Sequence, residues 1–186
     1  NVTAKSAFPS VRARTAWALA RNPFEGYLPI LQELLRDESA LVRRAALEVY
    51  VDHAPQLPAL ELFRVAGSHL DHEDHRVREA AITLASRLPE DLWQRLGKEA
   101  TTKSLLHRLS AIRALLLRAP VGQQPNQAAL REAVAVLRQP EKGTPLLGLT
   151  ALQIITQAFG GPQLAAPSAE VFAGYELRIA PADHPA

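Results

Sequence analysis

A short pattern recurs along the chain: an apolar residue, Arg, two variable residues and Ala. Three segments carry it, at 11–16, 42–47 and 77–82, although in the first of these the Ala comes one residue later. It is weaker at 107–112 and reduced to its last part at 149–152. The Arg residues of the first four segments are 31, 35 and 30 residues apart. Repeats of this length are typical of stacked two-helix units, which bury their apolar faces against one another. The pattern therefore predicts an all-helical fold.

Proline and capping residues divide the chain with the same period. A Pro follows each of several helical runs, as at Pro55, Pro89 and Pro140, and a Pro ends the helix before it. Ser39 and Asp74 stand at predicted N-caps. We predict nine helices in all. The first helices of the hairpins are placed at 10–21, 40–53, 75–88, 103–118 and 145–159, and the second helices at 27–36, 58–70, 90–99 and 126–138.

Composition limits the classes of function. Of the 186 residues, 47% are hydrophobic and 22% charged, which suits a continuous core. A net charge of +2 is too weak to imply a polyanionic partner by itself. Without Cys there is no disulfide, thiolate metal site or cysteine nucleophile. No apolar run approaches the length of a membrane span. Because the chain begins with Asn1 and contains no Met, we interpret it as an excised domain or a processed chain.

The pattern ends after Gly160. We predict a helical repeat domain over 1–160 and an irregular, Pro-rich tail or linker over 161–186. The last predicted first helix, 145–159, carries no charged residue and has no second helix after it to cover its apolar surface. The tail offers apolar residues such as Val171, Phe172 and Tyr175. We therefore expect the tail, another domain or a second copy of the chain to pack on this helix.

Two stretches, 35–46 and 70–81, resemble HEAT repeats, with an apolar residue, Asp in the turn, and then Val-Arg and Ala on the next helix. The resemblance extends over about 10–160 and implies a right-handed α-solenoid of four to five hairpins. In that family the Asp and Arg residues form a ladder along the stack. The positions that match it are Asp37, Arg43, Asp71 and Arg78, and Asp71 is the expected partner of Arg78. Arg12 and Arg108 match the Arg position without a clear upstream Asp.

The concave surface of such a solenoid, built by the second helices, is its usual binding surface. We predict a non-catalytic scaffold that binds a protein, or a neighbouring domain of the same polypeptide, through exposed residues there: Gln32, Glu33, Arg36, Glu61, Arg64, His69, Gln94, Arg95, Lys98, Arg131 and Glu132. Two alternatives remain. One is a nucleic-acid-binding module that uses the basic stretch with Lys103, Arg108, Arg113 and Arg118. The other is a structural spacer or docking domain within a larger protein.

One cluster has the residue types of a metal site. His69, His72 and His75 are three apart and have carboxylates between them. The cluster spans a predicted turn, however, where polar residues are solvated, so we expect no metal and no cofactor. Trp17 and Trp93 are expected to pack within or between hairpins. No catalytic spacing of nucleophile and base is present, and we expect no catalytic residues.

Overall fold

In the computed structural model, the residues described are 3–21, 26–118, 131, 133–135, 138 and 145–158. Eight α-helices have complete bounds: α1 Pro9–Arg21, α2 Tyr27–Leu34, α3 Ala40–Asp52, α4 Ala59–Gly67, α5 His75–Ala85, α6 Glu90–Ala100, α7 Leu105–Arg118 and α8 Pro145–Ala158. Two short 3-10 helices lie at Thr3–Lys5 and Ala54–Gln56. There is no strand among these residues. The predicted all-α class is confirmed. The predicted helix 126–138 is described only at 131 and 133–135, which are helical, and the predicted tail 161–186 lies outside the described residues.

Local signals set the ends of the helices. The Asp74 carboxylate accepts hydrogen bonds from the backbone N–H groups of Arg76 (2.8 Å) and Val77 (3.1 Å), as an N-cap should. The hydroxyl of Ser104 does the same for His107 at 3.1 Å, so α7 begins two residues later than predicted. Helix α5 ends at Ala85, earlier than predicted, because the backbone tightens into a turn before Pro89.

The first helices of the hairpins form one layer and the second helices another. Helix α1 packs on α3, α3 on α5, α5 on α7, and α7 on α8. On the other side, α2 packs on α1 and α3, α4 on α5 and α6, and α6 on α7. Each hairpin therefore buries its apolar face against the next hairpin, which makes the chain a helical solenoid.

Small residues in the first helices let these helices approach closely. Ala45 and Ala46 of α3 and Ala81 of α5 are fully buried, in a cluster with Leu47, Tyr50, Leu70 and Ile82. This cluster extends from α1 to the inner face of α7. A second cluster joins Leu109 of α7 to Ala133 and to Ile154 of α8. The solvent-facing side chains of both layers are thus held on a packed core.

Candidate functional site

One rung of the expected ladder joins the first two hairpins. The guanidinium of Arg12 binds the Asp37 carboxylate through Nε–Oδ2 at 2.6 Å and Nη2–Oδ1 at 2.8 Å. The same carboxylate accepts a hydrogen bond from the backbone N–H of Ser39 at 2.8 Å. Hydrogen bonding from Arg12 is the main reason that the pKa of Asp37 lies below its usual range. The acid partner of Arg12 thus lies in the following hairpin and not upstream of it.

A second contact recurs at three ladder positions. Each Arg donates from Nη1 to the carbonyl oxygen of the residue six before it: Arg12 to Ser6 at 2.8 Å, Arg43 to Asp37 at 2.5 Å, and Arg78 to His72 at 2.8 Å. A charge-assisted hydrogen bond to a turn carbonyl fixes the turn against the helix that follows it. The repeated Arg therefore fastens the turn that precedes its own helix.

The partner expected for Arg78 is not the one that the structure shows. We expected Asp71, but Asp71 is exposed, and its Oδ2 accepts a hydrogen bond from the Ser104 hydroxyl at 3.1 Å. Arg78 instead reaches back to the carbonyl of His72. The difference arises because Asp71 lies on the solvent side of the turn, whereas Arg78 is completely buried. Asp71 thus connects two successive turns.

The expected binding residues on the second helices face solvent in most cases. Glu61 and His69 are half-buried, Glu132 lies outside the described residues, and the others are exposed: Gln32, Glu33, Arg36, Arg64, Gln94, Arg95, Lys98 and Arg131. We call these eight exposed residues the second-helix surface. Contacts link its helices, since Gln32 Nε2 donates to Glu61 Oε1 at 2.8 Å and Arg95 lies 4.9 Å above the Phe63 ring. This surface thus connects three hairpins.

The three histidines of the candidate metal cluster have other contacts. The rings of His69 and His72 stack at 6.3 Å. His72 Nδ1 accepts the backbone N–H of Asp74 at 2.9 Å, and His69 Nδ1 lies 2.9 Å from the carbonyl of Val65. His75 faces Glu79 at 3.5 Å. In the described part of the chain, no group of three His, Asp or Glu residues is arranged to hold a metal ion.

Contacts between helices occupy much of the basic stretch. Arg113 is buried and binds Glu79 of α5 and, at 3.1 Å, Gln153 of α8. Arg118 donates to the carbonyl of Leu88 at 2.5 Å and to Glu90 at 2.7 Å. Lys103 is exposed and Arg108 is half-buried. Two of the four cations thus join neighbouring hairpins and are already paired with protein groups.

A groove of about 450 Å³ lies between α3 and α5, on the layer of first helices. Its α3 wall consists of Arg44, Glu48, Val51 and Asp52, and its α5 wall consists of His75, Arg76, Glu79, Ala80 and Thr83. We did not predict this groove. The spacing of Arg44, Glu48 and Asp52, four residues apart, indicates one polar helix face, but the sequence does not show that this face adjoins α5.

Ion pairs and hydrogen bonds already use some of the charges of the groove. Glu48 accepts from Arg44 at 2.7 Å and from the indole Nε1 of Trp17 at 2.9 Å. Glu79 binds Arg113. Trp17 is 39% exposed, and it packs between hairpins as expected, joining α1 to α3 from the surface and not from the core. Glu48 and Glu79 therefore have both a structural role and a place in the groove wall.

Comparison with protein families gives one match. The model described as HEAT repeats matches residues 1–62. The matched part contains the Arg12–Asp37 rung and the turn contact of Arg43, and the same turn contact continues beyond it at Arg78. The HEAT-repeat resemblance is confirmed.

The other comparisons give no further guidance. Neither the curated proteins nor the solved structures contain a match to the chain. In the part of the chain that the structure describes, no helix combines the length and the apolar character of a membrane span.

Proposed function

We propose that this chain is a non-catalytic protein–protein interaction scaffold that binds a polypeptide through the second-helix surface. HEAT repeats generally mediate protein–protein interaction and are typically non-catalytic. The observation that carries the proposal is the row of exposed polar and charged side chains on three successive second helices. Glu33 lies on α2, Arg64 on α4, and Lys98 on α6.

The mixed signs favour a polypeptide over a polyanion. A nucleic acid needs cations that track its phosphates, and each carboxylate beside them weakens binding. Carboxylates lie among the cations of these helices: Glu33 on α2, Glu61 three residues before Arg64 on α4, and Glu99 on α6, which pairs with Arg95 at 2.8 Å. The basic stretch on α7 supports the nucleic-acid alternative poorly, because Arg113 and Arg118 bind neighbouring helices. A polypeptide carries both signs and apolar groups, which such a surface complements.

The partner can be a separate protein or a neighbouring domain of the same polypeptide. In either case the contact should be sensitive to charge reversal on the second helices. The test variant is E33K/R64E, in which both substituted side chains are exposed and the net charge is unchanged. The matched control is R14E/E73K, which also reverses one exposed residue of each sign, on α1 and in the turn before α5.

The assay is chemical cross-linking of the tagged chain in an extract of the source cells, followed by identification of the captured proteins. We expect the control to capture the same proteins as the parent chain and E33K/R64E to lose them. Equal capture by both variants would contradict the use of this surface. Capture dominated by DNA or RNA, with a steep loss on raising the salt concentration, would favour the nucleic-acid alternative.

A further inference from the structure

The groove between α3 and α5 has a polarised charge distribution. Cations stand near the start of both helices, with Arg44 in the second turn of α3 and Arg76 at the second residue of α5. Carboxylates stand towards the end of α3, at Glu48 and Asp52. Because α3 and α5 are first helices of successive hairpins, they run in the same direction in the solenoid. Glu79 lies between these charges on α5 and is paired with Arg113, so the charges at the two ends of the groove differ in sign.

Two of these charges are available to a partner. Asp52 and Arg76 are both exposed, and neither forms an ion pair within the described part of the chain. Arg76 interacts with the nearby Asp74 only as a longer-range charge, because the Asp74 carboxylate caps α5. By contrast, Arg44 pairs with Glu48 at 2.7 Å. The free charges thus lie at opposite ends of the groove.

Both free charges interact unfavourably with the dipole of their own helix. The end of a helix carries a partial negative charge, and Asp52 is the last residue of α3. The start of a helix carries a partial positive charge, and Arg76 lies in the first turn of α5. Other helices end on the favoured sign, with Arg21 in the last turn of α1 and Lys98 in that of α6. A residue that opposes the helix dipole without an ion pair is expected where function requires it.

We propose that this groove binds an extended peptide segment that presents an acidic side chain to Arg76 and a basic side chain to Asp52. The proposal rests on the proposed function only in taking the partner to be a polypeptide, and it adds a second binding surface on the opposite layer. Arg76 accepts a carboxylate through the planar fork of its guanidinium. The apolar side chains of Val51 and Ala80, between the charged ends, accept a small apolar group.

The geometry sets the spacing of the peptide. The α3 wall of the groove runs from Arg44 to Asp52, eight residues and about 12 Å along the helix, and this sets the length of the groove. An extended chain covers that distance in about four residues, and side chains at positions i, i+2 and i+4 point to the same side. The expected peptide therefore has an acidic residue at position i, a small apolar residue at i+2 and a basic residue at i+4, with any residue between them. A volume of about 450 Å³ is suited to a short segment of this kind and not to a folded domain.

The test uses the full chain labelled with ¹⁵N and the synthetic peptide Gly-Asp-Ser-Ala-Ser-Lys-Gly. We expect saturable shifts of backbone amides on α3 and α5, with a Kd of about 10 mM, since two solvent-exposed ion pairs and one small apolar contact give a very weak complex. A peptide of the same composition with Asp and Lys adjacent is the control, and its Kd should be at least about fivefold higher. Absence of saturable shifts at these helices, or equal binding of both peptides, would overturn the proposal.

A charge exchange makes the assignment of the acidic end specific. The Kd of the variant D52K for the first peptide should be at least about fivefold higher than that of the parent. The same variant should gain binding to Gly-Asp-Ser-Ala-Ser-Asp-Gly, which the parent binds weakly. The matched variant E33K also reverses an exposed acid, on α2, and should bind as the parent does. If D52K and E33K behave alike, Asp52 does not contact the peptide and the proposal fails.

Two further readouts separate the possible failures. Because D52K and D52N remove a carboxylate from the end of α3, their thermal midpoints should be no lower than that of the parent, so that lost binding cannot be attributed to unfolding. A lower midpoint for both variants would show that Asp52 is structural and would overturn the argument. E33K/R64E should lose the partners of the second-helix surface and keep the peptide. That variant distinguishes failure of the proposed function from failure of the groove.

Discussion

Substitution of Arg78 tests whether the ladder position acts through its charge or through its packing. Arg78 is completely buried, and its one short hydrogen bond is from Nη1 to the carbonyl of His72 at 2.8 Å. Its Nε and Nη2 have no hydrogen-bond partner among the described residues. Burial lowers the pKa of the Arg78 guanidinium, because a charge is costly away from water. The charge and the hydrocarbon stem therefore have opposite effects on stability.

The structure gives a magnitude for Arg78→Ala. Two methylene groups are lost from a buried site, at about 0.8 kcal/mol each. The carbonyl of His72 loses its donor, which costs about 1 to 3 kcal/mol if it stays buried. Removing a guanidinium with two unpartnered nitrogens offsets part of this sum. We expect the free energy of unfolding to fall by about 2 to 4 kcal/mol.

The informative comparison is Arg78→Met, which keeps an unbranched stem and removes the charge. We expect it to lie within about 1 kcal/mol of the parent, because packing is retained and the cost of burying the charge disappears. Urea denaturation followed by circular dichroism measures both variants, and Arg76→Ala, at an exposed neighbour, is the control. If Arg78→Met is as unstable as Arg78→Ala, the turn contact and not the stem holds this position. If neither changes the midpoint, the structural role of the repeated Arg is refuted.

Three further predictions concern pH, the contacts of His53 between helices, and helix α8. Burial is the largest cause that lowers the pKa of both His72 and His107 from 6.5, so the unfolded chain binds more protons than the folded chain below that pH. The free energy of unfolding should therefore be highest above about pH 6.5 and fall below it. The urea midpoint should drop between about pH 7.5 and 5.0, and His107→Gln should reduce this drop. His53→Phe removes contacts to the Ala20 carbonyl (2.9 Å) and the Tyr27 hydroxyl (3.1 Å), and should cost about 1 to 2 kcal/mol in denaturation, whereas Asp52→Asn beside it should not. Truncation after Gly161 should cause self-association in sedimentation, because α8 has no charged residue to keep an uncovered surface in water; a monomeric, equally stable product would contradict the expected covering of this helix.

The helices could be predicted from the sequence because their signals are local. Periodicity, the cap at Asp74, and the prolines act within a few residues, and they placed the described helices to within a few residues of their observed ends. The partner of Arg12 could not be assigned in the same way. Asp37 follows it by 25 residues in the next hairpin, and the pairing depends on how the hairpins stack. The partner of Arg78 was misassigned for the same reason, since no spacing distinguishes Asp71 from the carbonyl of His72.

The two candidate sites also differ in whether local sequence signals or contacts between distant segments form them. Exposure of Glu33, Arg64 and Lys98 follows from the polar face of each helix, which the sequence shows. The groove between α3 and α5 requires two helix faces to meet, and these faces are encoded more than 30 residues apart, at Asp52 and Thr83. A residue such as Asp52 looks like an ordinary solvated acid until its place in the groove wall and its lack of an ion pair among the described residues are known.

Helix α7 determines how far the hairpins act as one unit. Ala111 and Ala114 of α7 belong to the core cluster that begins at α1, whereas Leu109 belongs to the cluster with Ile154 of α8. Arg113 adds a polar link across the same helix, from Glu79 of α5 to Gln153 of α8. In a solenoid each unit is stabilised by its neighbours alone, so coupling between the two clusters passes through α7. When α7 is weakened, the hairpins on its two sides should therefore unfold separately. Helices α3 and α5 should still unfold together, because the core between them is continuous.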